Sequence, residues 1–375
     1  MKTKTTSIIA ILALCYWVQV NAQTGKIYVS DAGNFNFPPW QILRFDENGE
    51  NGEVFISDHL AWPQDIFFLE SSNTVLISNL NTNRISKFNA ATGVYTGEFA
   101  TNISGPTRMK LGPDSLLYVL QAYGNGKVRR YNLNGALIGD FTAVGVGTSI
   151  GLDWDAEGNL YVSSYEDKIV RKFSPTGADL GLFINSNLAG PTNIWFADNG
   201  DLLVVDFIGG SVKRFSSAGA YLGVFIAGLP EGEGVEFLPG GNILLGCGGY
   251  SSVRMYNESG DFLSDLVPSG TLDLLKPNAV VWRNMGVSST TSVETGVAFL
   301  VPSIGSVFQM ASVSEDRPGD LLTEIYNSSG GLAARIDFSE SCCWDAQNQP
   351  NGVYLALFRM SDGSRIATQK IIVQK

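Results

Sequence analysis

Histidine is almost absent from this chain: His59 is the single one. That excludes a Ser-His-Asp hydrolase unless His59 serves as the base, and no G-x-S-x-G elbow accompanies it. It also excludes zinc sites built on several imidazoles, so His59 is expected to pack or to lie at the surface. Cysteine is scarce too, and Cys15, Cys247 and the adjacent Cys342-Cys343 do not make a disulfide framework. Basic residues are outnumbered, 25 Lys and Arg against 36 Asp and Glu, for a net charge of −11. Nucleic-acid binding rests on neutralising phosphates with Lys and Arg, so no nucleic-acid partner is expected. Beyond the N-terminus no apolar run is long enough to cross a bilayer, and no transmembrane segment is expected. Helical periodicity is missing as well.

What is present begins with a leader. Lys2 and Lys4 precede an apolar run over 7–18, and Val20-Asn21-Ala22 offers a small-residue cleavage site. This is the anatomy of a secretory signal peptide over 1–22. Its removal takes away two lysines and no acids, moving the net charge from −11 to −13. The protein is expected to be secreted or held at the cell surface after export through the periplasm.

The next signal is repetition. QILRFDENGENGEVF (41–55), RISKFNAATGVYTGEF (84–99), KVRRYNLNGALIGDF (127–141), IVRKFSPTGADLGLF (169–183), GSVKRFSSAGAYLGVF (210–225) and SVRMYNESGDFLSDL (252–266) are six copies of one unit. Their first aromatics, Phe45, Phe88, Tyr131, Phe173, Phe215 and Tyr256, are 43, 43, 42, 42 and 41 residues apart. Each is followed by a turn glycine, from Gly49 to Gly260, and six residues later by Phe55, Phe99, Phe141, Phe183, Phe225 or Leu266. Each copy alternates like a strand, and two more strand-like runs stand upstream of it. Four short strands at a period of about 42 residues read as a β-propeller blade. The chain enters at IYVSD (27–31), a second strand, and KPNAVVW (276–282) repeats an innermost strand with nothing after it. The last strand is therefore expected to complete the first blade and leave no open edge. The fold expected is all-β: a six-bladed β-propeller over 23–285, a linker at 286–296, and a small immunoglobulin-like β-sandwich over 297–375.

The copies NLYVSSYEDKIVRKFSPTG and DLLVVDFIGGSVKRFSSAG resemble NHL-type repeats. The resemblance implies a propeller and leaves the activity open, because such scaffolds host lyases, lactonases, sensors and interaction modules. The tail is similar to the C-terminal sorting domain of the type IX secretion system of the Bacteroidota. The matching residues are Glu324-Ile325-Tyr326-Asn327 with Gly330-Gly331, then Asn351-Gly352-Val353-Tyr354-Leu355, and Lys370-Ile371-Ile372-Val373. Gly352, Val353, Tyr354, Lys370, Ile371 and Val373 are the candidate sorting signal. The resemblance implies recognition by an outer-membrane translocon.

Two candidate sites remain. Lactonase-like propellers hold a divalent cation at the channel mouth with Glu, Asn and Asp, and the innermost strands here offer Asp65, Asp153, Asn193, Glu233, Glu236 and Asn278. These oxygen donors suit calcium, although Arg108 and Lys110 share the same strand of one blade. The basic residue before each aromatic (Arg44, Lys87, Arg130, Lys172, Arg214) is expected on a solvated strand face and not in an anion-binding ring. The second candidate is a break in the pattern. Val162 to Val170 is a step of 8 residues, but Val29 to Ile42 is 13, and the excess is DAGNFNFPPW. It places Phe35, Phe37 and Trp40 on one loop, a candidate binding surface for a protein or a glycan; the alternative is that Trp40 folds back to cover the closure. No convergent catalytic set emerges and no cofactor is required. The expected function is an exported binding or interaction module, with a calcium-dependent hydrolase or lyase as the alternative.

Overall fold

The computed structural model describes residues 25–285, 298–301, 304–312, 321–327, 331–337, 343–360 and 365–373. The expected signal peptide and linker lie outside the described residues. The chain divides into two compact units, 1–287 and 288–375.

The first unit is built from four-stranded antiparallel sheets, six of them among the described residues. We number them in chain order. The innermost strands are Pro277–Asn284, Pro63–Leu69, Pro106–Leu111, Ser149–Trp154, Pro191–Phe196 and Gly232–Phe237 for sheets one to six. Sheet one is closed as the sequence implies: Pro277–Asn284 pairs antiparallel with Gly25–Asp31, Val29 opposite Val280.

Second strands such as Leu202–Asp206 (LLVVD) are buried at every residue, because successive side chains enter the cores on the two sides of the sheet. Leu203 and Val205 pack against sheet six, while Leu202 and Val204 pack against sheet four. Six apolar clusters result, one between each pair of neighbouring sheets, and the last joins Leu244 and Val253 of sheet six to Ile27 and Val29 of sheet one. The ring therefore closes on itself without a covalent tie.

Hydroxyl groups reinforce these boundaries. Ser30 Oγ donates to the Pro63 carbonyl at 2.9 Å, Ser78 to Thr107 at 2.7 Å, Thr107 to Ser149 at 2.7 Å and Ser163 to Thr192 at 2.6 Å. The repeated landmarks also meet one another. Gly219, at φ 80°, turns against the carbonyl of Phe183 in the preceding sheet, where an added Cβ would stand 2.4 Å from that oxygen. The turn glycine and the outer-strand aromatic of the previous repeat are thus two halves of one contact.

The basic residues before the aromatics are not simply water-facing, which corrects the expectation. They are half-buried, and four of the five are paired within their own sheets, Arg44 with Glu53, Arg130 with Asp114, Lys172 with Asp155 and Arg214 with Asp201. Arg44 and Arg130 also lie over Phe55 and Phe141, at 4.6 and 5.1 Å. A long side chain can cover an apolar strand while its head stays wet. The pairs are local to each sheet and form no anion ring.

In the second unit, Ala298–Val301, Val307–Ser312 and Cys343–Asp345 form one sheet. The other contains Ile304–Gly305, Arg365–Val373, Gly352–Met360, Leu321–Asn327 and Leu332–Asp337 in spatial order. Phe308 and Trp344 from the first sheet share a core with Ile325, Tyr354, Phe358 and Ile371 from the second.

Candidate functional site

Each innermost strand carries a register shift at its second or third residue, for example between Pro106 and Met109 or between Gly232 and Val235. A bulge re-aims side chains. Here third-position groups (Asp65, Arg108, Asn193) line one cavity with fifth-position groups (Lys110, Glu236), whereas second-position groups (Gln64, Glu233) line another.

The structure does bring most of the expected metal donors together, but around a guanidinium. Arg108 of sheet three crosses the axis: Nε donates to Asn193 Oδ1 at 3.0 Å, and Nη2 to Glu233 Oε1 at 3.1 Å and to the Asn278 carbonyl. Arg108 and Glu233 side chains are 7% and 12% exposed. The remaining donors are engaged too. Asp65 accepts the Met109 N–H at 2.7 Å, Asp153 the Phe196 N–H at 3.0 Å and Glu236 the Trp282 N–H at 2.9 Å. Those bonds cross from sheet two to three, four to five and six to one, so the carboxylates clip alternate boundaries of the ring. Asp153 also holds Lys110 at 2.6 Å. Asp65, Asp153, Asn193, Glu233 and Asn278 therefore do not fit a calcium site: a fixed positive charge stands among them, and Asp65, Asp153, Asn193 and Glu233 each accept from a protein donor, while Asn278 Oδ1 has no partner among the described residues. Among the described residues no three His, Cys, Asp or Glu side chains group as metal ligands.

Burial pushes Glu233 up to about 7; Arg108 works against that shift and Asp65 with it. Burial also raises Asp65, with Arg108 opposing. Two carboxylates share one guanidinium, so the set holds a proton more readily than isolated acids would.

The opposite end of the channel is different in character. A cavity of about 390 Å³ opens there, lined by Phe35, Trp62, Tyr123, Tyr165 and Phe207 with Gln64, Glu166, Glu231 and Glu233. Its walls are set by a device repeated in all sheets. The last residue of each second strand is polar or a thiol, and it fixes the segment leading into the innermost strand. Asn79 accepts from Ala61 N at 2.9 Å, Gln121 from Ser104 N at 3.2 Å, Asp206 from Gly190 N at 2.7 Å and Asp31 from Lys276 N at 2.8 Å. Ser164 donates to the Gly147 carbonyl at 2.6 Å, and the buried thiol of Cys247 to that of Pro230 at 3.1 Å. The residue immediately after this clip then reaches the mouth, as Leu80, Tyr165 and Phe207 do.

The inserted loop joins this wall through one of its three candidates. Phe35 lines the cavity, its ring 5.2 Å from that of Trp62. Trp40 folds back and donates its indole N–H to the Phe35 carbonyl at 2.8 Å, so it braces the loop. Phe37 points outward, 67% exposed. His59 stacks on Tyr95 at 3.7 Å, away from both ends of the channel. Sequence reasoning missed Trp62, Gln64, Tyr123, Tyr165, Phe207 and Glu231. The available signal was the variable position directly after each second strand, Ala32, Leu80, Ala122, Tyr165, Phe207 and Gly248 in turn.

In the second unit the candidate sorting residues occupy two neighbouring strands, with Val353 opposite Ile372 and Tyr354 opposite Ile371. Tyr354, Ile371 and Val373 are core residues, whereas Val353 is exposed. Gly352 pairs with Val373, and Lys370 with Leu355.

A closed ring of four-stranded sheets around a channel defines a β-propeller. No protein-family model matches the chain, and no curated protein matches it in sequence. Solved structures do. A nidogen/laminin complex structure aligns at a TM-score of 0.55 and 14% identity over 69% of this chain and 98% of the other. A protein of unknown function from Bacteroides caccae aligns at 0.54 and 13%, with the same coverage of 69% and 98%. A structure described as a putative gluconolactonase reaches 0.48 and 18%, covering 68% of this chain and 87% of that one. The first two likenesses establish the fold.

Proposed function

We propose that this protein is an exported β-propeller that binds a small ligand at the aromatic end of its channel, as a binding module and not as a calcium-dependent hydrolase or lyase. The observation that carries the reading is the contrast between the two linings. At the polar end Arg108 and Lys110 line a cavity of about 800 Å³ and, with backbone N–H groups, engage Asn193, Asp153 and Asp65, whereas at the aromatic end no Lys, Arg or His lines the cavity of about 390 Å³ and its walls are rings and acids. Residues 1–22 serve as the signal peptide in this reading, and 297–375 as a type IX sorting domain read by an outer-membrane translocon. The pairing of strands Gly352–Met360 and Arg365–Val373 supports that part, since it places both halves of the candidate signal on one ladder.

The test has two arms. Fluorescence titration of the full chain with a panel of small metabolites and glycans should give saturable binding that Trp62→Ala abolishes, without turnover of a lactone panel. Lactone turnover that disappears in Asp65→Asn would overturn the reading. Deleting 351–375 should leave the protein in the periplasm, and continued export would refute the sorting role.

A further inference from the structure

We infer that the cavity at the aromatic end takes a primary amine carried on an apolar body, with its ammonium group at Glu233 and Gln64 and its hydrocarbon between Trp62, Tyr165 and Phe207. The inference rests on the reading that this end is the ligand site, and it adds the chemical class.

Charge gives the sign. Three glutamates line the cavity, Glu166, Glu231 and Glu233, and no Lys, Arg or His does. The cations that pair with two of them, Arg108 with Glu233 and Lys276 with Glu231, are outside the lining. Arg108 engages Glu233 through Oε1, and no described donor reaches Oε2. The environment of Tyr165 agrees: burial raises its phenol, and Glu233, Glu231 and Glu166 add to the shift in that order. All three acids therefore act on one ring of the wall.

An unengaged polar group gives the second, independent indication. Gln64 is 2% exposed and lines the cavity, yet its Oε1 is buried with no hydrogen-bond partner. Buried acceptors are normally satisfied, and an N–H donor from a ligand would satisfy this one. A quaternary ammonium has no N–H to give, which favours a primary amine. An anion would meet three carboxylates, two of them already holding one cation each, and no cation in the lining.

The walls complete the match. Aromatic faces attract cations electrostatically, and Phe35 already receives the Lys276 ammonium 5.7 Å from its ring centre. The volume of about 390 Å³ corresponds to roughly a dozen water molecules at bulk density, enough for an arylalkylamine.

The test is calorimetry on the full chain near neutral pH with phenethylamine. Two ligands of similar shape serve as controls, neutral 2-phenylethanol and anionic phenylacetate. Phenethylamine should bind saturably, 2-phenylethanol at least about tenfold more weakly, and phenylacetate not at all. Gln64→Leu removes the buried unpaired group, should fold at least as well as the parent, and should weaken amine binding about tenfold. Phe207→Ala, at a half-buried rim position, should weaken it as well. Equal affinity for amine and alcohol, or no amine binding at about 5 mM, would overturn the amine inference. The site reading would survive that failure if another ligand binds and is lost in Phe207→Ala. It would fall too if Phe207→Ala leaves all binding unchanged.

Discussion

The two ends of the channel are made by the same six strands, yet their polar groups have opposite fates. At one end Asp65, Asp153 and Glu236 each accept a backbone N–H from the next sheet. At the other, Gln64 has an acceptor without a partner, and Glu231 and Glu233 line a cavity while keeping one cation each, Lys276 and Arg108. The acids at both ends are of the kind that attracts a functional reading. What separates the two ends is the charge beside the acids: Arg108 and Lys110 line the cavity at the first end, whereas no Lys, Arg or His lines the one at the second.

The largest expected effect comes from breaking the polar end outright. Arg108→Met leaves Glu233 buried without its partner and should cost about 3–5 kcal/mol in chemical denaturation. Asp65→Ala removes the acceptor of the Met109 N–H and should cost about 1–3 kcal/mol, while ligand affinity at the aromatic end stays unchanged. If Asp65→Ala instead abolishes binding and leaves stability intact, the two ends have been assigned the wrong way round. Proton linkage sharpens the contrast. Glu233 is raised from 4.5 to about 7, so the folded state holds the proton in that window and the unfolded chain releases it. The contribution is complete below 4.5 and is lost as pH rises through about 7. The unfolding midpoint should climb as pH is lowered from about 8 towards 5, and Glu233→Gln should flatten that climb. The smallest effect belongs to Phe37→Ala on the exposed tip of the inserted loop, which should stay within about 0.5 kcal/mol of the parent and leave ligand binding unaltered.

The ring was legible in the sequence because one contact recurs in every repeat. The glycine turns, the aromatics and the closure by 277–284 all follow from alternation and spacing, and the observed pairing of Val29 with Val280 matches that closure. The candidate site was legible only in part. Strict alternation cannot anticipate a bulge in every innermost strand, and that bulge brings Arg108 among the donors proposed for calcium. Repeat spacing identified DAGNFNFPPW as an irregularity and so found Phe35. It could not find Trp62, Tyr165 or Phe207, because these occupy ordinary repeat positions and differ from their equivalents only in side chain. The half-buried state of Arg44 and Arg130 was missed for a similar reason: alternation gives a direction for a side chain but not what a long one will lie across.

The central claim is that the polar end of the channel is a fastening and not a metal centre. Calorimetric titration of calcium into the full chain tests it most directly. The account predicts no micromolar site, and unchanged heats for Asp65→Ala and Asn193→Ala. A micromolar calcium site that either substitution abolishes would contradict it.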